Sequence, residues 1–153
     1  MKILIVKNKE EEKFLRRKPE KFDFSKYTRK EISLLIKEMR ETMDRADGVG
    51  LSANQIGLNI QAFVAKVEGK RYAVFNPEFL KISKTADGLA EGCLSIPEVY
   101  REVVRPERVV LAGFDKYGKK IKIKADGLLA RVFQHEMDHL NGRLIIDHTK
   151  KEG

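Results

Sequence analysis

The chain has 153 residues and a mass of 17.6 kDa, and its 31 basic against 23 acidic side chains give a net charge of +8 and a pI near 9.5. That length is expected to form one domain, residues 1–153, around a single core, and no apolar run is long enough for a signal sequence or a membrane span. A lone cysteine excludes an internal disulfide and suits a cytoplasmic setting, and no membrane partner is expected. The basic excess invites a nucleic-acid reading, yet ten basic and six acidic side chains are interleaved between Lys7 and Glu31, and no zinc-finger, RRM or helix-turn-helix signature accompanies them. Specific nucleic-acid recognition is therefore not expected.

In chain order, residues 1–6 (MKILIV) read as a first strand. Thr28 and Glu31 form a capping box, and Ile32, Leu35, Ile36, Met39, Met43 and Ala46 recur at helical spacing behind it. Gly48-Val49-Gly50-Leu51-Ser52-Ala53-Asn54-Gln55 follows that helix, so it is no dinucleotide fingerprint, which must follow a strand and open a helix. A glycine-rich turn accounts for Gly48. The second glycine and Gln55 suggest a loop that approaches an extended ligand, with Gln55 as an amide donor. Strands are expected over 61–67, 71–75, 100–104, 108–114 and 120–124, the last pair as a hairpin closed near Tyr117-Gly118. Lys120-Ile121-Lys122-Ile123-Lys124 alternates as an edge strand with a solvated lysine face. Strands in the middle with helices at each end give an α+β fold.

The last helix carries the chemistry. Asp126 is placed to cap it, Gly142 to end it, and Leu128, Leu129, Val132, Phe133 and Leu140 give it an apolar stripe. His135-Glu136-Met137-Asp138-His139 lies on or beside that stripe, with the two histidines one turn apart on one side. Two imidazoles at this spacing can hold one metal ion, with Glu136 beside it as a proton carrier. An unpartnered surface pair is the bland alternative, and the cost of burying unpaired polar groups weighs against it. Catalytic centres of this kind need a third ligand. His148 lies three residues beyond the spacing that would supply one, and reads as an exposed histidine. Cys93, in Glu91-Gly92-Cys93-Leu94-Ser95, completes the set best, since thiolate and imidazole suit zinc or iron. The competing possibilities for Cys93 are a small buried hydrophobe or a nucleophile with one histidine as base.

The three segments G-V-G-L-S-A-N-Q, E-G-C-L-S and Q-H-E-M-D-H-L resemble the signature motifs of peptide deformylases, in the same order and over most of the chain. The resemblance implies antiparallel sheets packed around a central metal-bearing helix. It also implies removal of the N-terminal formyl group from the formyl-methionine of nascent polypeptides. By the same resemblance Cys93, His135 and His139 are metal ligands and Glu136 the general acid/base. Gln55 and the backbone N–H of Leu94 hold the oxyanion, and Gly50 contacts the substrate backbone. The metal would be Fe2+, with Zn2+, Ni2+ or Co2+ as substitutes.

Val49, Leu89, Leu128 and Val132 are candidates for the methionine pocket, with core packing as the alternative for each. Three departures from the family pattern stand out. Ser52 replaces the usual alanine and Asn54 sits at a variable position, neither expected to touch the chemistry. Tyr100 takes a place where some members carry arginine. Many members also continue into a C-terminal helix that contributes to ribosome docking, whereas this sequence stops shortly after Asp147-His148-Thr149. Transient contact with ribosomal RNA, assisted by the basic charge, is expected by another route. A basic RNA-binding module with a structural metal and a catalytically dead relative are the competing readings; the intact Gln55, Cys93, His135, Glu136 and His139 weigh against the second.

Overall fold

The computed structural model describes residues 1–148. Its order is α1 (Lys9–Leu15), α2 (Arg29–Arg45), β1 (Gly50–Ser52), β2 (Ala62–Val67), β3 (Lys70–Ile82), β4 (Ala86–Cys93), β5 (Ile96–Pro106), β6 (Arg108–Phe114), β7 (Lys120–Asp126) and α3 (Gly127–His139). Five strands form an antiparallel sheet in the order β1-β2-β3-β6-β7, and β4 pairs with β5 in a separate hairpin. The fold is α+β, as the sequence indicates.

The two longer helices, α2 and α3, each bury one stripe against the larger sheet. Ala130, Val132 and Phe133 of α3 pack with Phe63, Val74, Val109 and Leu111 on one face. Ile32, Ile36, Met39 and Met43 of α2 pack with Leu51, Val64 and Phe75 on the other. A side chain as fully buried as Phe133 contributes roughly 1.5–3 kcal/mol by leaving water, so α3 is held chiefly by this stripe. A smaller cluster of Ile96, Val103, Leu144 and Ile145 ties the β4–β5 hairpin to the segment after α3, with Cys93 against it.

The capping box at Thr28 and Glu31 is formed, with Glu31 N–H donating to Thr28 Oγ1 at 3.1 Å and Thr28 N–H to Glu31 Oε1 at 2.9 Å. Gly142 ends the α3 region at φ +71°, and a Cβ there would run into the carbonyl of Arg16. Both conditions select glycine.

Several expectations are corrected. Residues 1–6 are not a strand: Leu4 N–H donates to Gln55 O and Val6 N–H to Ser95 O, so the segment straddles two loops and joins no ladder. Asp126 occupies the cap position of α3 but its side chain makes no capping bond. The charge-dense N-terminal segment, to which no element is assigned above, forms a helix, α1, because Asn8 Oδ1 accepts from Glu10 and Glu11 N–H and three glutamates fill the first turn. Strand β4, with Gly88 and Gly92 in it, has little intrinsic strand preference and exists through its pairing with β5. His148 is buried, its Nε2 lying 2.9 Å from Asp138 Oδ2. Residues 149–153, on which the expectation about a C-terminal helix falls, lie outside the described residues.

Candidate metal centre

Residues from three distant stretches meet in a cleft of about 570 Å³ between β1, the end of β4 and α3. His135 and His139 stand one turn apart on α3 with ring centroids 5.1 Å apart. Cys93 is the last residue of β4, and its Sγ lies 3.3 Å from His139 Nε2. One ligand atom from each of Cys93, His135 and His139 lies within 4.8 Å of the other two. A soft thiolate and two imidazoles at this separation suit a four-coordinate cation that keeps one position open.

Glu136 lies beside these groups, 2% exposed, and its Oε1 has no hydrogen-bond partner among the described residues. Burial pushes its carboxyl up to about 7, against the opposing pull of the His135 and Arg105 charges. Gly50 faces it across the cleft: a Cβ built on Gly50 would overlap the Glu136 carboxylate. Here the absence of a side chain is a spatial requirement.

Gln55 is held from below by a 3₁₀ turn over Ala53–Ile56. Its Oε1 accepts from Ser52 N–H at 3.0 Å and from Ser52 Oγ at 3.2 Å, which fixes which way the amide points. Gln55 Nε2 consequently donates toward Ser95 Oγ at 3.1 Å and Cys93 Sγ at 3.8 Å. Asn54 Nδ2 donates to His139 O at 2.7 Å. The expectation that Ser52 and Asn54 stand apart from the chemistry is thus corrected: one orients Gln55, the other ties its turn to the histidine helix. Leu94 follows Cys93 and lines the cleft with Val49, Leu89, Leu128 and Val132. Val49, Leu89 and Leu128 are about half exposed, so they form the rim, whereas Val132 is buried at the base. Tyr100, at 76% exposure, stands at the mouth.

A buried charge cluster behind the histidines escaped the sequence reading. Glu91 accepts from Arg105 Nε at 2.6 Å and Nη2 at 2.9 Å, and from Arg131 Nη1 at 2.6 Å, while its Oε1 lies 3.0 Å from His135 Nδ1. Arg105 Nη1 also reaches Asp138 Oδ2 at 3.0 Å. Burial alone would raise the Glu91 carboxyl, but the hydrogen bonds from His135 and Arg105 outweigh it and hold it far below the usual carboxylate range. For His135, burial is likewise outweighed, by hydrogen bonds to Cys93 and Glu91, and the ring is held well above its ordinary value; burial and the His135 and Arg105 charges push His139 well below. An anchored Nδ1 aims His135 Nε2 at the thiol side of the cleft, the usual way a carboxylate orients a metal-binding imidazole. Two local signals were available: Glu91 lies two residues before Cys93 on one strand, and Arg131 lies one helical turn before His135.

An open three-donor set, a buried carboxylate at its side and a peptide-sized cleft together define a metal-dependent hydrolase centre. The sequence profile of the polypeptide deformylases matches residues 2–153, and the chain belongs to that family, whose members remove the formyl group from nascent chains. It is 44% identical over 129 residues to a peptide deformylase of Methylocella silvestris, covering 79% of this chain and 66% of that protein. It is 46% identical over 116 residues to one of Carboxydothermus hydrogenoformans, covering 76% of each. The chain thus spans about two thirds to three quarters of the length of these relatives. Among solved structures, the peptide deformylase of Thermotoga maritima superposes with a TM-score of 0.89 at 37% identity, covering 97% of both chains. A probable peptide deformylase of Synechococcus phage S-SSM7 superposes with a TM-score of 0.86 at 38% identity.

Proposed function

We propose that residues 1–153 act as one catalytic domain that hydrolyses the formamide bond of formyl-methionine at the N-terminus of nascent polypeptides. The observation that carries this reading is the convergence of Cys93, His135 and His139 beside a buried carboxylate whose Oε1 has no protein partner. Cys93, His135 and His139 would hold a divalent cation. Iron(II) is the ion the family resemblance implies, and the same donors accept zinc, nickel or cobalt. When bound, the ion would supply Lewis acidity that polarises the formyl carbonyl and makes water easier to deprotonate.

The remaining steps belong to the chain. Glu136 takes the proton from the attacking water and passes it to the departing amine; a carboxyl near 7 can do both at neutral pH. The carbonyl oxygen becomes negative as water adds, and Gln55 Nε2 and the Leu94 N–H donate to it. Gly50 lets the substrate backbone lie against β1 without a side chain intervening. The rim of Val49, Leu89 and Leu128 over Val132 accepts the unbranched methionine side chain.

Acting on nascent chains places the enzyme in the cytoplasm with transient access to the ribosome. No helix among the described residues is long and apolar enough to cross a membrane. The test is formate release from formyl-Met-Ala-Ser by metal-characterised protein. Glu136→Ala is expected to retain its metal and lose turnover. Full turnover in that variant, or none in the metal-loaded native protein, would defeat the proposal.

A further inference from the structure

The outer strand of the larger sheet carries a face that the hydrolase chemistry does not use. β7 is the edge strand, and its residues alternate in burial. Ile121 and Ile123 turn toward the core packed by α3, while Lys120, Lys122 and Lys124 project from the opposite face. On that side α2 packs over β1 and β2, at the far end of the sheet from β7. Beside Lys122 and Lys124 lie Ala112 and Val110 of β6, a low, half-buried floor. Beyond these on β3 stand Glu78 and the exposed Lys81. A shallow depression at this end also takes in Lys21.

The turn of the same hairpin continues the pattern. From Lys116 to Lys124 there are five lysines and no acidic residue. Asp115, just before them, is engaged in the turn, its Oδ1 accepting from the N–H groups of Tyr117 and Lys119. Tyr117 is 62% exposed, with Arg29 Cζ 5.6 Å and Lys116 Nζ 5.2 Å from its ring centroid. None of Lys120, Lys122 and Lys124 has a carboxylate within ion-pair distance among the described residues.

We infer that this β6–β7 face is a docking surface for the phosphate backbone of RNA. The inference rests on the reading of the enzyme as one that works on nascent chains, since a ribosome presents RNA at its surface. Alternate residues of a strand repeat about every 6.6–6.8 Å, a spacing comparable to that of successive phosphates along one nucleic-acid strand. Lysine is a point-charge phosphate ligand, and an exposed aromatic ring between cations adds a stacking site at the end of the row. A protein partner fits less well: interface cores are depleted in lysine and anchored by buried aromatic or aliphatic side chains, whereas the floor here is Val110, Ala112 and a Phe114 already packed against the core under α2, beneath three lysines. Edge protection accounts for charge on β7 but not for Tyr117 or for the lysines of the turn. Readout would follow backbone charge and not sequence, which agrees with the absence of a base-reading motif.

The test is fluorescence anisotropy of a labelled oligouridylate with the metal-loaded protein over a series of salt concentrations. The triple variant Lys120→Gln, Lys122→Gln, Lys124→Gln is expected to weaken binding at least tenfold at low salt. It should also flatten the slope of log affinity against log salt by about 2, the value for three lost phosphate contacts on a single strand. The triple Lys→Arg variant should bind as the native protein does. Removing three charges elsewhere, with Lys9→Gln, Lys13→Gln and Lys18→Gln, should leave the slope near native. Tyr117→Ala should weaken binding with the slope unchanged. If the triple glutamine protein aggregates, Lys122→Gln alone should flatten the slope by about 0.7.

Absence of binding by the native protein, equal loss in both triple glutamine variants, or tighter binding to phosphatidylserine vesicles than to RNA would overturn the inference. Formate release from the free formyl peptide is measured on the same samples. If that activity is absent in every protein, the hydrolase reading has failed; if it is native throughout while RNA binding ignores β7, only the docking surface has.

Discussion

Replacing Gln55 separates its part in the chemistry from its part in the architecture. The side chain is 1% exposed and makes four contacts, accepting from Ser52 N–H and Oγ and donating toward Ser95 Oγ and Cys93 Sγ. As an oxyanion donor its loss costs on the order of 3–4 kcal/mol of transition-state stabilisation, or roughly two to three orders of magnitude in turnover. Gln55→Ala also leaves the Ser52 N–H buried without a partner, about 1–3 kcal/mol, and opens a cavity. A domain of ordinary stability, about 5–15 kcal/mol, survives that with a lowered Tm.

Gln55→Glu is the cleaner partner variant. Its carboxylate still accepts from Ser52 but offers no N–H toward the cleft. Both variants are expected to keep their metal, measured by elemental analysis, and to release formate from formyl-Met-Ala-Ser some 10²–10³ times more slowly. A native rate in either metal-replete variant refutes the donor role. Loss of metal from Gln55→Glu along with the rate would show that Gln55 acts by steadying Cys93, and the mechanism above would lose its second donor.

Three further outcomes follow from the geometry. Gly50→Ala places a methyl group in the volume of the Glu136 carboxylate, so turnover should fall at least about a hundredfold while thermal stability and metal content stay near native; a native kcat would show that Glu136 moves aside without consequence. Glu91→Gln leaves Arg131 buried without its counter-charge, leaves Arg105 with Asp138 alone, and weakens the support of His135 Nδ1. It should cost about 3–5 kcal/mol in denaturant unfolding and lower metal affinity some 10–100-fold in chelator competition, and unaltered affinity would sink the positioning argument. The third concerns Asp147, which binds Arg16 at 2.8 Å. Burial raises its carboxyl, but the Arg16 hydrogen bond and the Leu144 N–H outweigh that and leave it lowered. A depressed native value means the contribution is complete above the unfolded value near 3.9 and disappears as pH falls through the native one. Asp147→Asn should therefore cost about 1 kcal/mol at pH 7, and the gap from native should begin to narrow as pH falls below about 4. A gap that stays constant as pH falls from about 4 to about 2 contradicts the assignment.

What the sequence shows of the site is what short spacing can carry. His135, Glu136 and His139 are legible because four residues make one helical turn, and the apolar stripe around them announces burial. Cys93 was reached by elimination among very few possible ligands. The positions of Glu91 and Arg131 beside the ligands are legible, but their pairing with each other and with Arg105 is not, since the members lie 14 and 40 residues apart and each alone reads as an ordinary surface charge. His148 was misjudged for the same reason: its partner Asp138 is a residue of the very motif that drew attention, yet only the fold shows the contact. Secondary structure failed where pairing overrides local preference, as in β4, and where capping overrides charge density, as in α1. Residues 1–6 failed in the opposite sense, having the composition of a strand but no neighbour to pair with.

The buried charge cluster explains how so few contacts hold the cleft in register. Cys93 reaches the site from a two-stranded hairpin outside the main sheet, a unit too small to be rigid alone. Glu91 on that hairpin grips Arg131 and His135 on α3, and Arg105 on the opposing strand grips both Glu91 and Asp138. The hairpin and the helix are therefore locked by groups with directional requirements, where apolar packing would allow sliding. Such a cluster does little for net stability, because desolvating four charges offsets much of their attraction. Its effect is on geometry: a thiolate and two imidazoles brought within 4.8 Å by elements with no shared backbone hydrogen bonds need a fixed relative position more than they need a deeper energy minimum.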